Sequence, residues 1–333
     1  MAKTALVVSG GGSKGAFAVG VIKYLAENRP DIKFDTFCGT STGSLMLPLV
    51  ALGEMALLEE LYTTKTTADI ILTGNIVNRF VRANSLYDAS PLARQVTTYY
   101  TDERFKKLAA LKKELFLTTV CLQTGRITYF STSGMPMLNT GYDVIKINDG
   151  QTLREAVLAS CCQPVFMPPI EITALTEKPR QFVDGGLREY APIQLAIDNG
   201  ATEIYAILLT PETPETSNQR FTSTFDILEQ TIGWFTNDVA VNDVQVPLLY
   251  NRALQYIDDV KTKMKDAGIP QQDIDAYFDV PGANPFLGKQ ELTIHIIRPD
   301  APLDGGMGGL VFDPAEMKGM LAKGMTTAEQ LFS

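Results

Sequence analysis

The sequence predicts an α/β fold in which a largely parallel sheet is covered by helices on both faces. Three observations carry this. A short β-branched apolar run, Thr4-Ala5-Leu6-Val7-Val8, ends in Ser9-Gly10-Gly11-Gly12 and reads as a buried parallel strand entering a tight loop. Further apolar runs of strand length then alternate with stretches of helical spacing. Finally, residues 211–288 break that alternation and read as a mainly helical excursion.

Taken in order, residues 15–28 place Phe17, Val21, Ile22 and Leu25 on one helical stripe, closed by Pro30. A second strand over about 35–38 runs straight into Gly39-Thr40-Ser41-Thr42-Gly43. Leu45, Leu49, Leu52, Leu57, Leu58 and Leu61 then predict one long, mostly buried helix over 44–62, with Pro48 near its start. Later strands are expected at 115–120, 127–130, 180–183, 203–209 and 292–297, and helices at 152–161 and 192–199. Pro211, Pro214 and Ser217 open a polar linker, 224–265 has helical spacing, and 279–288 is rich in Pro and Gly. Asp313-Pro314-Ala315-Glu316 combines an Asp N-cap, an N1 proline and an N3 glutamate, the start of a last helix over about 314–331. The expected organisation is a core over 1–210, the excursion over 211–288, and a strand and helix over 289–333 that return to the core.

Composition narrows the partners. With 45% hydrophobic and 20% charged residues, the 333-residue chain can build a sizeable core in one or two domains. A net charge of −9 without a Lys/Arg cluster argues against nucleic acid and against wholesale adsorption to an anionic bilayer; transient contact with a membrane surface stays open. Cys38, Cys121, Cys161 and Cys162 lack zinc-site spacing, and the adjacent pair suits reduced thiols, so no metal is expected. No signal h-region and no run of ~18 apolar residues is seen, and a cytoplasmic location is expected.

The chemistry centres on Ser41. A Gly-x-Ser-x-Gly pattern between a strand and a helix is a nucleophile elbow, which lifts the hydroxyl above the sheet edge. The helix that follows points its N-terminal amides at developing negative charge. Gly10, Gly11 and Gly12, with Lys14 beside them, form a glycine-rich loop whose consecutive amides can converge on an anion. The same glycines fit a dinucleotide fingerprint, Gly10-x-Gly12-x-x-Gly15, which makes a Rossmann-like site the main alternative. That fingerprint wants an acid at the end of the second strand, whereas Asp31 and Asp35 precede the strand and Ser41 occupies its end.

The base has two candidates. His295, the one histidine, alternates mid-strand in Leu292-Thr293-Ile294-His295-Ile296-Ile297 and reads as structural. Asp184, in Phe182-Val183-Asp184-Gly185-Gly186, closes an apolar run at a glycine turn that permits close approach, and burial that raises its pKa suits it to accept the Ser41 proton.

The three motifs in this order resemble the patatin-like phospholipases, which pair a Gly-rich loop bearing Arg or Lys with Gly-x-Ser-x-Gly and Asp-Gly-Gly. Ser85-Leu86-Tyr87-Asp88-Ala89-Ser90-Pro91-Leu92 and the Pro-rich block Ala159–Pro169 extend the similarity over roughly 4–210. The resemblance implies a three-layer α/β/α fold and a Ser41–Asp184 dyad that hydrolyses acyl esters of lipids without metal or cofactor. It also implies an oxyanion loop at Gly10, Gly11 and Gly12 with Lys14 nearby. A carboxylesterase or thioesterase acting on short soluble esters is the enzymatic alternative. Two departures bear on the pocket wall: Tyr190 stands where the family usually has Asn, and Cys161, Cys162 and Val165 replace small residues. The helix behind Ser41, Met317, Met320 and Met325, and Trp234-Phe235 are candidates for an acyl groove, with core packing the expectation for each.

Overall fold

The computed structural model describes residues 3–74, 76–133, 141–172, 179–213, 220–280, 282, 284–286 and 289–333. Its nine described strands are β1 (Thr4–Val8), β2 (Thr36–Thr40), β3 (Glu114–Cys121), β4 (Ile127–Ser131), β5 (Tyr142–Lys146), β6 (Ile170–Ile172), β7 (Arg180–Asp184), β8 (Glu203–Ile207) and β9 (Thr293–Ile297). They form one sheet in the order β5-β4-β3-β2-β1-β8-β9, with β7 on β3 and β6 on β7. The centre is parallel, and only the pairings β3–β4, β3–β7 and β6–β7 are antiparallel.

Strand periodicity splits the core into two layers. Leu6 and Val8 of β1 face the helices Gly15–Asn28, Thr42–Leu52, Gly150–Cys161 and Pro314–Phe332 in one apolar layer. Ala5 and Val7 face the opposite way, onto Ile193, Leu195 and Ala196 of the helix Ile193–Asp198 and onto Val244. Val244 belongs to the helix Thr224–Asp266, 43 residues long, which runs through the stretch with helical spacing and lays one face on the sheet. The result is the three-layer α/β/α arrangement, with both faces of the parallel strands covered.

Differences from the expected elements are local. The single helix over 44–62 is two, Thr42–Leu52 and Met55–Thr64. Gly53 separates them in a left-handed conformation (φ 76°), its amide bonded back to the Val50 carbonyl, so the chain turns before the second helix. Strands β5 and β6 and the helices Ser90–Tyr99 and Asp102–Ala110 were not anticipated, although both helices are amphipathic and bury one face, through Leu92 and Val96 in the first and Leu108 in the second. Pro214 and Ser217 lie outside the described residues, as does part of 279–288. Among the described residues, no helix is long and apolar enough to cross a membrane.

Candidate active site

Ser41 follows the last residue of β2 and caps the next helix in a backbone conformation that L-residues rarely adopt, φ 55° and ψ −120°. Two glycines make the turn possible: a Cβ at Gly43 would fall on the carbonyl oxygen of Val8, and one at Gly39 would meet the Gly43 backbone. The strained turn is held on both sides. The Ser41 amide donates to Ser160 Oγ at 3.0 Å, and the Ser41 carbonyl accepts from the Leu45 amide at 3.0 Å and the Cys161 thiol at 3.4 Å. Such over-determination is what keeps an outlier in place.

Asp184 reaches Ser41 through the register of β3. Thr40, the last residue of β2, pairs with Thr118, while Asp184 of β7 pairs with Thr119. Strand β4 occupies the other edge of β3, so β7 continues the edge that β2 leaves at the turn. The carboxylate is 4% exposed. One oxygen, Oδ1, accepts the Gly186 amide at 2.8 Å, whereas Oδ2 is buried without a hydrogen-bond partner among the described residues. Burial pushes the Asp184 pKa up to about 6, against smaller downward pulls from the Gly186 amide and the Ser41 hydroxyl. Ser41 therefore lies close enough to favour the carboxylate, while no hydrogen bond of normal geometry closes between the two.

Three successive residues at the end of the helix Gly150–Cys161 grip both side chains' backbones. Ser160 and Cys161 hold Ser41 as described, and the Cys162 carbonyl accepts the Asp184 amide at 2.9 Å. The two cysteines are thus staples of the site, beyond the pocket wall expected for them; all four cysteines are buried and unpaired. Their place in the Ala159–Pro169 block was the available signal. That block pairs with the other family-like segment, the Leu86 and Tyr87 amides donating to the carbonyls of Val165 (2.9 Å) and Phe166 (2.8 Å). Val165 sits at φ 74°, a genuine outlier for a β-branched residue and a position that suits the small residue it replaces.

The glycine loop lies beside Ser41, and its three glycines differ. The Gly10 amide is committed to the Tyr190 carbonyl at 3.1 Å, while Gly11 (φ 147°) and Gly12 (φ 57°) turn the chain into a tight helical turn over Gly12–Lys14. Gly10, Gly11, Ser41, Asp184 and Tyr190 line one small cleft. Lys14 borders an adjoining recess of mixed lining, with Thr210, Thr236 and Asn237 beside Phe166, Ile232 and Leu310. Asp31 and Asp35 are at the opposite end of the sheet, Asp35 bonded to the first residue of β1 and Asp31 to Arg29, so neither can serve a dinucleotide at the loop.

From Ser41 an apolar groove of about 820 Å³, its open mouth included, runs between the helices Thr42–Leu52, Met55–Thr64 and Ser90–Tyr99. Leu45, Leu49, Leu58, Leu61, Leu92 and Val96 line it. The Tyr62 hydroxyl is bonded to Thr42 and the Tyr100 hydroxyl to the Leu45 carbonyl, which leaves the walls apolar. Leu45 and Leu49 line this groove and also take part in the core packing expected of their helix. Met317 and Met320 are core residues, and Met325 packs against that core. Trp234 and Phe235 are neither: they are 43% and 67% exposed, beside Ile232, Gly233 and Thr236, which border the recess and the cleft. His295 stacks on Tyr205 at 4.4 Å between ring centroids and approaches Glu203 at 3.3 Å, away from the Ser41 cleft.

A family model described as patatin-like phospholipase matches residues 6–197, more than half of the chain. Lysophospholipase NTE1 of Mycosarcoma maydis is 28% identical over 210 residues, covering 61% of this chain and 9% of that protein. The chain therefore spans less than a tenth of the length of the curated relative it matches. Among solved structures, VipD from Legionella pneumophila is similar at 12% identity with a TM-score of 0.48, over 99% of this chain and 66% of VipD. The matched stretch contains the glycine loop, the Ser41 elbow and Asp184 together, and the chain belongs to the patatin-like phospholipase family.

Proposed function

We propose that the chain is a serine acyl hydrolase that cleaves fatty-acyl esters of phospholipids or lysophospholipids through Ser41 and Asp184. The single observation that carries this is the strained Ser41 turn facing an unpartnered, buried carboxylate oxygen of Asp184 and opening onto an apolar groove. Ser41 Oγ attacks the acyl carbonyl while its proton passes to Asp184, whose raised pKa makes it a stronger base than an exposed aspartate. The Gly11 and Gly12 amides hold the oxyanion, Gly10 being bonded elsewhere, and each well-placed donor contributes roughly a hundred- to a thousandfold in rate. The alcohol leaves with the proton, and water then releases the fatty acid from the acyl-enzyme.

The groove supports a long acyl chain, and Lys14, Thr210, Thr236 and Asn237 in the adjoining mixed recess suit a polar leaving group. Exposed Trp234 and Phe235 near the rim of the cleft suit transient contact with a lipid surface, where aromatic side chains partition well. Profiling wild type against Ser41→Ala on an acyl-chain ladder and a diacyl phospholipid tests the reading. Turnover confined to short soluble esters makes the chain a carboxylesterase or thioesterase, and equal labelling of wild type and Ser41→Ala by a serine-directed fluorophosphonate rejects the nucleophile. Serine replacement of Trp234 and Phe235 is expected to lower turnover on vesicles and spare a soluble ester.

A further inference from the structure

The long helix Thr224–Asp266 brings one carboxylate, Asp243, to the segment that follows β7. A single oxygen, Oδ2, accepts the amides of Tyr190 at 2.6 Å and Ala191 at 2.9 Å. The Ala191 amide and the Tyr190 carbonyl belong to one peptide, and that carbonyl accepts the Gly10 amide at 3.1 Å. This peptide is therefore fixed at both ends, by Asp243 on one side and by the glycine loop on the other. The Tyr190 ring completes the support: a Cβ on Gly10 would come 3.1 Å from it, and one on Gly11 would come 3.3 Å from its hydroxyl.

We propose that Asp243 is the positioning residue of the glycine loop, setting the aim of the Gly11 and Gly12 amides at Ser41 through the Tyr190–Ala191 peptide. The inference rests on the reading of those amides as oxyanion donors. A carboxylate that accepts two amides polarises the peptide between them, which strengthens the bond from its carbonyl to Gly10. A loop aimed by hydrogen bonds loses rate steeply when it shifts, because a misplacement of about 1 Å costs on the order of a hundredfold. It also gives the helix over 224–266 a part in catalysis, although its residues lie beyond the matched stretch 6–197.

Steady-state kinetics of the full chain on a soluble acyl ester, with Asp243→Ala, Asp243→Asn and Ser41→Ala in parallel, test the assignment. Asparagine offers one oxygen to both amides and is expected to stay within about threefold of wild type, while alanine loses about tenfold to a hundredfold in kcat with little change in KM. Wild-type kcat in folded Asp243→Ala, or equal losses in both Asp243 variants, overturns the assignment. If the alanine variant fails to melt cooperatively, Asp243→Glu decides, since one added methylene moves the carboxylate: a comparable kcat loss supports the assignment and wild-type kcat overturns it. Turnover surviving in Ser41→Ala rejects the functional reading itself, whereas a dead Ser41→Ala beside an unaffected Asp243→Ala rejects only the positioning role.

Discussion

Thr40 and Asp184 pair with adjacent residues of one strand, Thr118 and Thr119, so the strand that leads into Ser41 and the strand that ends in Asp184 meet end to end along one edge of β3. Backbone register along β3 thus brings Ser41 and Asp184 together, with no loop spanning the gap. The same geometry leaves Asp184 Oδ2 buried and without a hydrogen-bond partner among the described residues, where the proposed mechanism sends the Ser41 proton.

Asp184→Asn therefore keeps the turn and the Gly186 contact but removes the proton acceptor, and it is expected to lower kcat by at least ~100-fold. His295→Gln alters the Tyr205 stack, away from the cleft, and is expected to retain kcat within about threefold, consistent with a side chain outside the reaction. The reverse pattern in the same assay would restore a histidine-based triad.

The pH dependence follows from the ionisation that the base requires. Burial first, opposed by Gly186 and Ser41, puts the Asp184 pKa at about 6, so kcat/KM is expected to fall as pH drops through 6 and to level above it. An acidic limb centred near pH 4 would describe an exposed carboxylate and contradict this burial.

Stability has the opposite slope. Burial, with Asp243 nearby and against the Tyr129 hydrogen bond, raises Glu189 to about 8, and burial raises Asp184 and Asp243 to about 6. Unfolded carboxylates titrate near ~4, so between pH ~4 and ~8 the native state holds more protons and loses stability as pH rises. The melting temperature is expected to be lower at pH 8.5 than at pH 6, and Glu189→Gln, which still accepts from Tyr129, to shrink that drop. An undiminished drop in the variant would place the titration elsewhere.

Val165→Gly is expected to stabilise the chain by about 1 kcal/mol, because glycine adopts φ 74° without the strain a β-branched residue bears, and this outweighs the added unfolded-state entropy. The side chain is 41% exposed and the bond to Leu86 uses its carbonyl, so little packing is lost. A rise in the denaturation midpoint at constant m reads it directly.

Leu61→Trp adds bulk to a groove wall that is partly open rather than deep in the core. Activity is expected to fall on long-chain esters and to persist on the shortest ones, read as a changed kcat/KM ratio across the chain-length ladder. Equal losses at all lengths would place the acyl chain outside this groove.

The parallel strands, the glycine loop and the elbow at Ser41 were legible in the sequence because each is a local signal: a buried apolar run, then glycines where a Cβ has no room. His295 could be set aside on its mid-strand alternation alone, and the N-cap of the last helix was written in Asp313 and Pro314. Gly53 carried a legible signal too, as a glycine after a helical run, and it breaks the helix that the leucine spacing had joined. Strand β5, at the sheet edge, alternates too weakly to stand out, and three-residue β6 is too short. The pairing of Ser41 with Asp184, the grip of Ser160, Cys161 and Cys162, and the reach of Asp243 to Tyr190 were decided by tertiary structure. Each is a hydrogen bond or register between residues more than 20 positions apart that meet only in the folded chain, and such pairings leave no periodicity along the sequence.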